Sequence, residues 1–402
     1  MRIAIIHNRY GTESPSGEDL AVDAEASQLE DEGLEVVRIE EQGGGVGIRR
    51  AALAGMTATW NPRSARRIRI RLEECRPDIV HIHNLFPFLS PSVVWAARRA
   101  GCPVVMTLHN YRLICANGLL LRDGKVCQIC VDQRHTIAAV VNRCYKQSRT
   151  ASAAIAVSIE THRRMKTWTR AVDGLIVFSD FQSAVLRRAG IEEVPIHVKP
   201  NTMPTEVHPI PWSHRQPRVA FIGRLSHEKG VDVVIDAWRL LGEKAPPLCI
   251  VGSGPLEHRM RSQLSGLQTP VHFTGLVDAS RAQGILADSK LVILPSLCYE
   301  GYPLVVREAF AYGVPVIASD HGPMSELLDN LGSEFRIPPG AADVLATRIR
   351  ELWEKQDHLE ETGSRMRAEY ETRLRPRFNV DRLLDIYRET ILQRERVGRV
   401  LR

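Results

Sequence analysis

Two carboxylates stand eight residues apart in Tyr299-Glu300-Gly301-Tyr302-Pro303-Leu304-Val305-Val306-Arg307-Glu308, with a Gly/Pro turn between them. The apolar run Lys290–Leu294 before them reads as a buried strand, and Gly313 after Tyr312 reads as a helix stop. Strand, turn and helix start place Glu300 in the turn and Glu308 on the helix. The unsatisfied N–H groups of the first helical turn then point into a crevice at the strand's carboxyl end, where open α/β sheets take ligands. At 1.5 Å rise per residue, Glu308 lies within roughly 10 Å of those amides. That geometry suits a nucleotide, with phosphates on the amides and ribose hydroxyls on the carboxylate. A solvated acidic helix is the plainer reading, but Glu308 sits among Val305, Val306, Ala309 and Phe310.

Two cations belong to the same half. In Gly223-Arg224-Leu225-Ser226-His227-Glu228-Lys229-Gly230, a loop leaves one strand and a helix opens near Val231. Arg224 and Lys229 therefore lie at a strand's carboxyl end. There they can act as fixed charges for a departing diphosphate. No Asp-x-Asp pair exists to hold a divalent ion, so chemistry without a metal cofactor is expected. The run Val251-Gly252-Ser253-Gly254-Pro255-Leu256-Glu257 contains Gly-x-Gly, but Glu257 replaces the third glycine of a dinucleotide fingerprint.

His7, His83 and His109 each close an apolar strand of the first half. One such histidine is usually a polar cap, but three at parallel strand ends suggest a shared ligand face. Cys115, Cys127, Cys130 and Cys144 cluster after His109, with Cys127 and Cys130 in Cys-x2-Cys spacing. In a reducing compartment, four thiolates fit a structural zinc site, and buried free thiols are the alternative. Basic runs stand at Arg63, Arg66, Arg67, Arg69 and Arg71, and at His162, Arg163, Arg164, Lys166 and Arg170. Docking on anionic lipid and a solvated helix face are equally good readings of them.

These residues need a scaffold, and the pattern supplies one twice. Strands are expected at Ile3–Ile6, Glu35–Ile39, Ile79–His83, Val104–Leu108 and Gly174–Phe178, with a helix from Ser16 to Gly33. A second series starts at Val219 and runs through Leu248–Gly252, Val271–Thr274, Leu291–Pro295 and Val314–Ala318. Strands alternating with helices mean α/β, two doubly wound parallel sheets. Val194 to Trp212 carries five prolines and reads as the linker. The domains are set at 1–205 and 206–379.

At 402 residues and 44% hydrophobic content, the chain suits two medium domains. A formal charge of +6 fits anionic substrates and does not imply nucleic acid. No apolar stretch approaches the ~20 residues of a membrane span. Met1-Arg2-Ile3-Ala4-Ile5-Ile6 is too short for a signal peptide core, so a cytoplasmic protein is expected, at most peripheral on the membrane.

The Glu300–Glu308 segment resembles the retaining family 4 glycosyltransferases of GT-B fold, whose hallmark is Glu-x7-Glu within Glu-Gly-aromatic-x-Leu. The resemblance implies two Rossmann-like domains facing a cleft, with 380–402 crossing back to the first domain, and a sugar moved from a nucleotide sugar to a glycan, lipid-linked or small-molecule acceptor. UDP is preferred to GDP on family frequency alone. Carried over, Glu300 lies beside the transferred sugar, Glu308 binds ribose, and Arg224 and Lys229 contact the diphosphate. Backbone at Gly301, Tyr302, Leu304 and Val305 holds sugar and phosphates, Gly252 lies under the nucleotide, and Leu276 and Val277 read the base. His109 contacts the donor sugar. The loop Gly11–Gly17 approaches the diphosphate, with Ser16-Gly17 in place of Gly-Gly, so that Gly17 alone permits close approach. Polysaccharide-cluster members of the family resemble the chain at the cysteine-rich insertion. An epimerase or phosphorylase on the same fold, or a nucleotide-sugar-binding protein without activity, are the alternatives.

Overall fold

The computed structural model describes residues 1–9, 16–42, 55, 57–201 and 207–400. Gly11 to Pro15 of the loop before Gly17, the Gly43–Gly45 run, and 202–206, where the expected domain boundary falls, lie outside the described residues. The chain packs as two compact units. The first holds Met1–Leu120, Gln128–Pro204 and Pro376–Arg402, and the second holds Leu121–Cys127 and Thr205–Arg375.

In the first unit, strands β1 (Arg2–Arg9), β2 (Glu35–Gln42), β3 (Ile79–Ile82), β4 (Val104–Thr107), β7 (Gly174–Val177) and β8 (Ile196–Val198) form one sheet in the order β2-β1-β3-β4-β7-β8. Every pairing is parallel. The central strands are mainly apolar because helices cover both faces, with His81 in β3 and Thr107 in β4 as buried polar exceptions. Ile3, Ile5, Val105 and Ile176 pack with Leu383, Ile386 and Tyr387 of the last helix, Pro376–Val400. A hairpin, β5 (Leu121–Arg122) and β6 (Lys125–Val126), which groups with the second unit, precedes in the chain the first unit's short helices Ile129–Asp132 and Ile137–Val141 and its long helix Arg149–Arg164.

The second unit repeats the plan. Strands β9 (Gln216–Ile222), β10 (Leu248–Val251), β11 (Val271–Gly275), β12 (Ser289–Leu294), β13 (Val316–Ser319) and β14 (Arg336–Ile337) run parallel in the order β11-β10-β9-β12-β13-β14. The chain's direction of winding reverses between β9 and β12, and between β1 and β3 in the first unit. Such switch points open a crevice beyond the strands' carboxyl ends.

The structure corrects the linker. Ile196–Val198 is a strand, pairing with β7 inside the stretch read as proline-rich connection. Pro195 has no N–H to give, but its carbonyl accepts from Leu175 at 2.9 Å, so the proline sits where no donor is needed. Among the described residues, no helix is long and apolar enough to cross a membrane.

Candidate functional site

The loops after β9 and β12 flank the second unit's switch point and carry the predicted donor residues. They are locked together by backbone. Leu297 N–H donates to the Glu228 carbonyl at 2.8 Å. A Cβ on Gly230, whose φ is +76°, would lie 2.0 Å from the Pro295 carbonyl oxygen. The Gly-x-Gly pair does similar work. A Cβ on Gly252 would meet the Gly223 oxygen at 2.1 Å, and one on Gly254 the Leu225 oxygen at 2.4 Å. Gly252 thus admits a neighbouring loop.

On this frame Lys229 Nζ donates to Glu300 Oε1 at 2.6 Å, and Ser296 Oγ donates to the same oxygen at 2.7 Å. Burial would push the Glu300 carboxyl up, but the Lys229 ammonium and the two hydrogen bonds hold it below its ordinary value. Burial likewise opposes the Lys229 charge, and Glu300 outweighs it, so the ammonium is held charged. The two residues were expected in separate roles and form one ion pair. Arg224 is exposed and has no ion-pair partner among the described residues. It is the free cation of the loop.

Pro303 begins the helix Leu304–Tyr312 without a side-chain cap. Among the described residues, the Leu304 and Val305 N–H groups find no acceptor, which leaves them available to an anion. Tyr302 turns its side chain into the core, at 7% exposure, with its hydroxyl pushed up to about 12 by burial, so only its backbone can face a ligand. One turn along, Glu308 Oε1 accepts from Gln283 Nε2 at 2.9 Å. Burial raises the Glu308 pKa, and that one hydrogen bond only partly offsets it. Leu276 is 58% exposed beyond β11, with Val277 half-buried beside it, and this apolar pair can cover a flat ring.

Sequence reasoning missed Ser296, Gln283 and His321. The last bonds the Ser296 carbonyl at 3.0 Å and lies against the Tyr299 ring, 5.2 Å between centroids. A hydroxyl directly after β12 was the available signal for Ser296.

In the first unit the three strand-end histidines do not share one role. His7 is fully buried and bonds Asp19 Oδ1 at 2.7 Å. Asp19 also closes the capping box with Ser16 at the start of the helix Gly17–Asp31, where Gly17 is exposed. His7 is therefore held to the first helix through Nε2, while its Nδ1 is buried with no hydrogen-bond partner among the described residues. His83 Nδ1 meets His109 Nε2 at 3.0 Å, and its other nitrogen lies 3.3 Å from Glu25. Burial and the neighbouring histidines push the His109 imidazole well down, so it is neutral. Its Nδ1 has no partner among the described residues.

Behind this pair lies a buried polar network that was not foreseen. His81 bonds the Tyr387 hydroxyl and Thr107 at 2.7 Å each, and Glu25 accepts from Lys199 Nζ at 2.8 Å. Burial would raise the Glu25 pKa, but Lys199 and the two histidines hold it well down. Glu25, His81 and His83 are grouped closely enough to share a metal ion. Lys199 and the engaged His81 nitrogens already fill that role.

Beside His109 the first unit holds a chamber with about 730 Å³ of empty space, counting the part open to solvent. Met106, Leu108, Ile155, Ile159 and Trp168 make its walls mainly apolar. His162 lines it with both nitrogens already bonded, to Thr167 and to the Thr59 carbonyl at 2.8 Å each.

No three of Cys115, Cys127, Cys130 and Cys144 bring sulfur atoms within 4.8 Å of one another, as tetrahedral coordination at about 2.3 Å requires. Cys130 and Cys144 instead pack on the apolar cluster of Ala116, Ala139 and Ile155. The basic runs change as well. His162 is buried, Arg163 pairs with Glu160, and Lys166 pairs with Glu193. Arg67, Arg69 and Arg71 pair with Glu41, Glu73 and Glu74 along an exposed helix, Pro62–Cys75.

Comparison with known proteins agrees with this layout. Residues 20–202 match the family model of the glycosyl transferase 4-like domain, and residues 216–355 match that of glycosyl transferases group 1. The amylovoran biosynthesis glycosyltransferase AmsK of Erwinia amylovora is 29% identical over 168 residues, 40% of this chain and 41% of that protein. The 2-deoxystreptamine N-acetyl-D-glucosaminyltransferase of Streptomyces fradiae is 26% identical over 274 residues, 66% of this chain and 60% of that one. The matched segments thus span less than two-thirds of these relatives' lengths. Anabaena Alr3699/HepE, solved with UDP-glucose, superposes with a TM-score of 0.66 at 18% identity, covering 98% of this chain and 100% of its own. With two matched domains and two six-stranded parallel sheets, the chain belongs to the glycosyl transferases group 1, with a 4-like first domain, on the GT-B fold.

Proposed function

We propose that the protein moves a sugar from a nucleoside diphosphate sugar to an acceptor hydroxyl, with retained anomeric configuration and no metal ion. One observation carries the reading. Beyond the second unit's switch point, a free Arg224, the Lys229–Glu300 pair, two unbonded helix amides and a donor-poor Glu308 all lie on the elements flanking one crevice. Arg224, Lys229 and the amides stabilise the diphosphate as charge develops on it. Glu308 takes the ribose hydroxyls. Glu300, kept ionised, faces the positive charge that grows on the sugar ring.

Both carboxylates are engaged, Glu300 by Lys229 and Ser296 and Glu308 by Gln283. That favours a front-face displacement over a covalent sugar–enzyme intermediate. The C1–phosphate bond breaks and its electron pair leaves with the diphosphate. The acceptor oxygen bonds C1 on the same face, and its proton passes to a phosphate oxygen. The chamber beside His109 is the acceptor side, and His109 Nδ1 can bond a sugar or acceptor hydroxyl. UDP is the preferred nucleotide, supported by HepE having been solved with UDP and UDP-glucose.

Thermal shift with UDP and GDP, followed by turnover of UDP-sugars with and without a glycan acceptor panel, tests this. UDP at 100 times its Kd should stabilise the protein by about 2.7 kcal/mol. Sugar transfer should require acceptor and survive EDTA. Sugar conversion without acceptor would point to an epimerase. Loss of transfer on chelation would remove the metal-independent mechanism.

A further inference from the structure

From Gln133 to Ile159 the chain contains Arg134, Arg143, Lys146 and Arg149 but no Asp or Glu, although 47 of its 402 residues are acidic. Among the described residues Arg143, Lys146 and Arg149 have no ion-pair partner, and all three are exposed. In the two basic runs six of the ten members are paired or buried, while Arg63, Arg66, Arg164 and Arg170 are exposed without an ion-pair partner among the described residues, and neither run contains the exposed apolar side chains Ile137, Val141 and Val157. Arg149 opens the helix Arg149–Arg164, whose first turn has no acidic residue. A cation is ill-placed at that positive end unless an external anion is to meet it. Arg143 and Lys146 hold φ of +51° and +52°, backbone that non-glycine residues adopt at a cost.

Apolar side chains stand among these charges. Ile137 is 65% exposed and Val141 63%, one turn apart on the short helix Ile137–Val141, which packs on the long helix. Val157, on the long helix, is also exposed, while Ile155 and Ile159 of the same helix face the chamber. Unpaired cations alone would suit any polyanion. Exposed isoleucine and valine set among them fit an anionic bilayer, with the apolar groups below the phosphates and the cations level with them.

We propose that the segment 133–157 is a docking surface for anionic membrane lipid. This does not depend on the glycosyl transfer reading. The full chain is sedimented with vesicles of phosphatidylcholine and phosphatidylglycerol at 3:1, or of phosphatidylcholine alone, at low and high salt. Binding is expected only with phosphatidylglycerol, and weaker at high salt. Arg143→Glu/Lys146→Glu/Arg149→Glu should lower partitioning at least tenfold and Ile137→Asp/Val141→Asp at least fivefold. The control Arg63→Glu/Arg66→Glu should match the parent. Lys146→Glu alone, expected to lower partitioning about threefold, replaces the triple variant if that melts early. No parental binding at low salt overturns the proposal, as does parental binding by both the charge and the apolar variants, or loss of binding in the control.

Discussion

Arg224 and Lys229 look equivalent in sequence, five residues apart on one loop, yet they should fail differently. Lys229→Ala strands the Glu300 carboxylate, whose side chain is 11% exposed. It should cost about 1–3 kcal/mol of stability as well as UDP affinity. Arg224→Ala breaks no ion pair and should weaken UDP binding tenfold or more with the unfolding midpoint unchanged. Denaturant titration beside calorimetric binding separates the two. Glu308 gives a pH-dependent test. Its pKa is raised in the folded protein, so protonation favours the fold. That contribution is present below the unfolded value, near 4.5, and is lost as pH rises through the raised folded value. Glu308→Gln should therefore stabilise the free protein at pH 8 while weakening UDP binding, and Tm scans across pH with and without UDP check both. The chemistry-bearing residue types were legible because carboxylates and cations at strand ends have few other uses. Their pairing was not, since Lys229 and Glu300 are 71 positions apart. The His7–Asp19 bond was likewise not legible, since Asp19 lies on the following helix.

Among the elements, the glycine-locked loops permit a controlled comparison. Gly33 and Gly230 have nearly the same φ, +74° and +76°, but a Cβ on Gly33 meets nothing within 4 Å. Gly33→Ala should cost about 1 kcal/mol, the conformational share alone. Gly230→Ala adds the collision with Pro295, should cost more than about 2 kcal/mol, and should part the loops that hold Lys229 and Glu300. Urea unfolding of the two variants reads the difference. Long apolar strands and the capped first helix were legible because period and caps act locally. The strands Ile196–Val198 and Arg336–Ile337 were not, because two or three residues carry no period and Pro195 reads as a breaker. Spacing also suggested zinc, but spacing alone does not fix how close the four sulfurs come in the fold.

For the whole molecule, the first unit is tied together by a buried charge. Lys199 Nζ bonds Glu25 at 2.8 Å and Asn379 Oδ1 at 3.0 Å, joining the end of β8, the first helix and the last helix. Lys199→Met removes the ammonium that does most to hold the buried Glu25 carboxyl down and should cost about 3–5 kcal/mol, read as a lowered urea midpoint. Two repeated sheets were legible at this scale, since each half restarts the same alternation. The buried network was not, because its members are up to 306 positions apart.

The return of Pro376–Val400 to the first unit has a consequence for biosynthesis. Leu383, Ile386 and Tyr387 complete an interior whose other walls leave the ribosome long before. At about 5–20 residues per second, translating the intervening stretch takes on the order of 10–30 s. Throughout that interval the nascent first unit shows an uncovered apolar flank, while the second is free to fold at once. Chaperone dependence should therefore concentrate on the half of the protein that is made first and finished last.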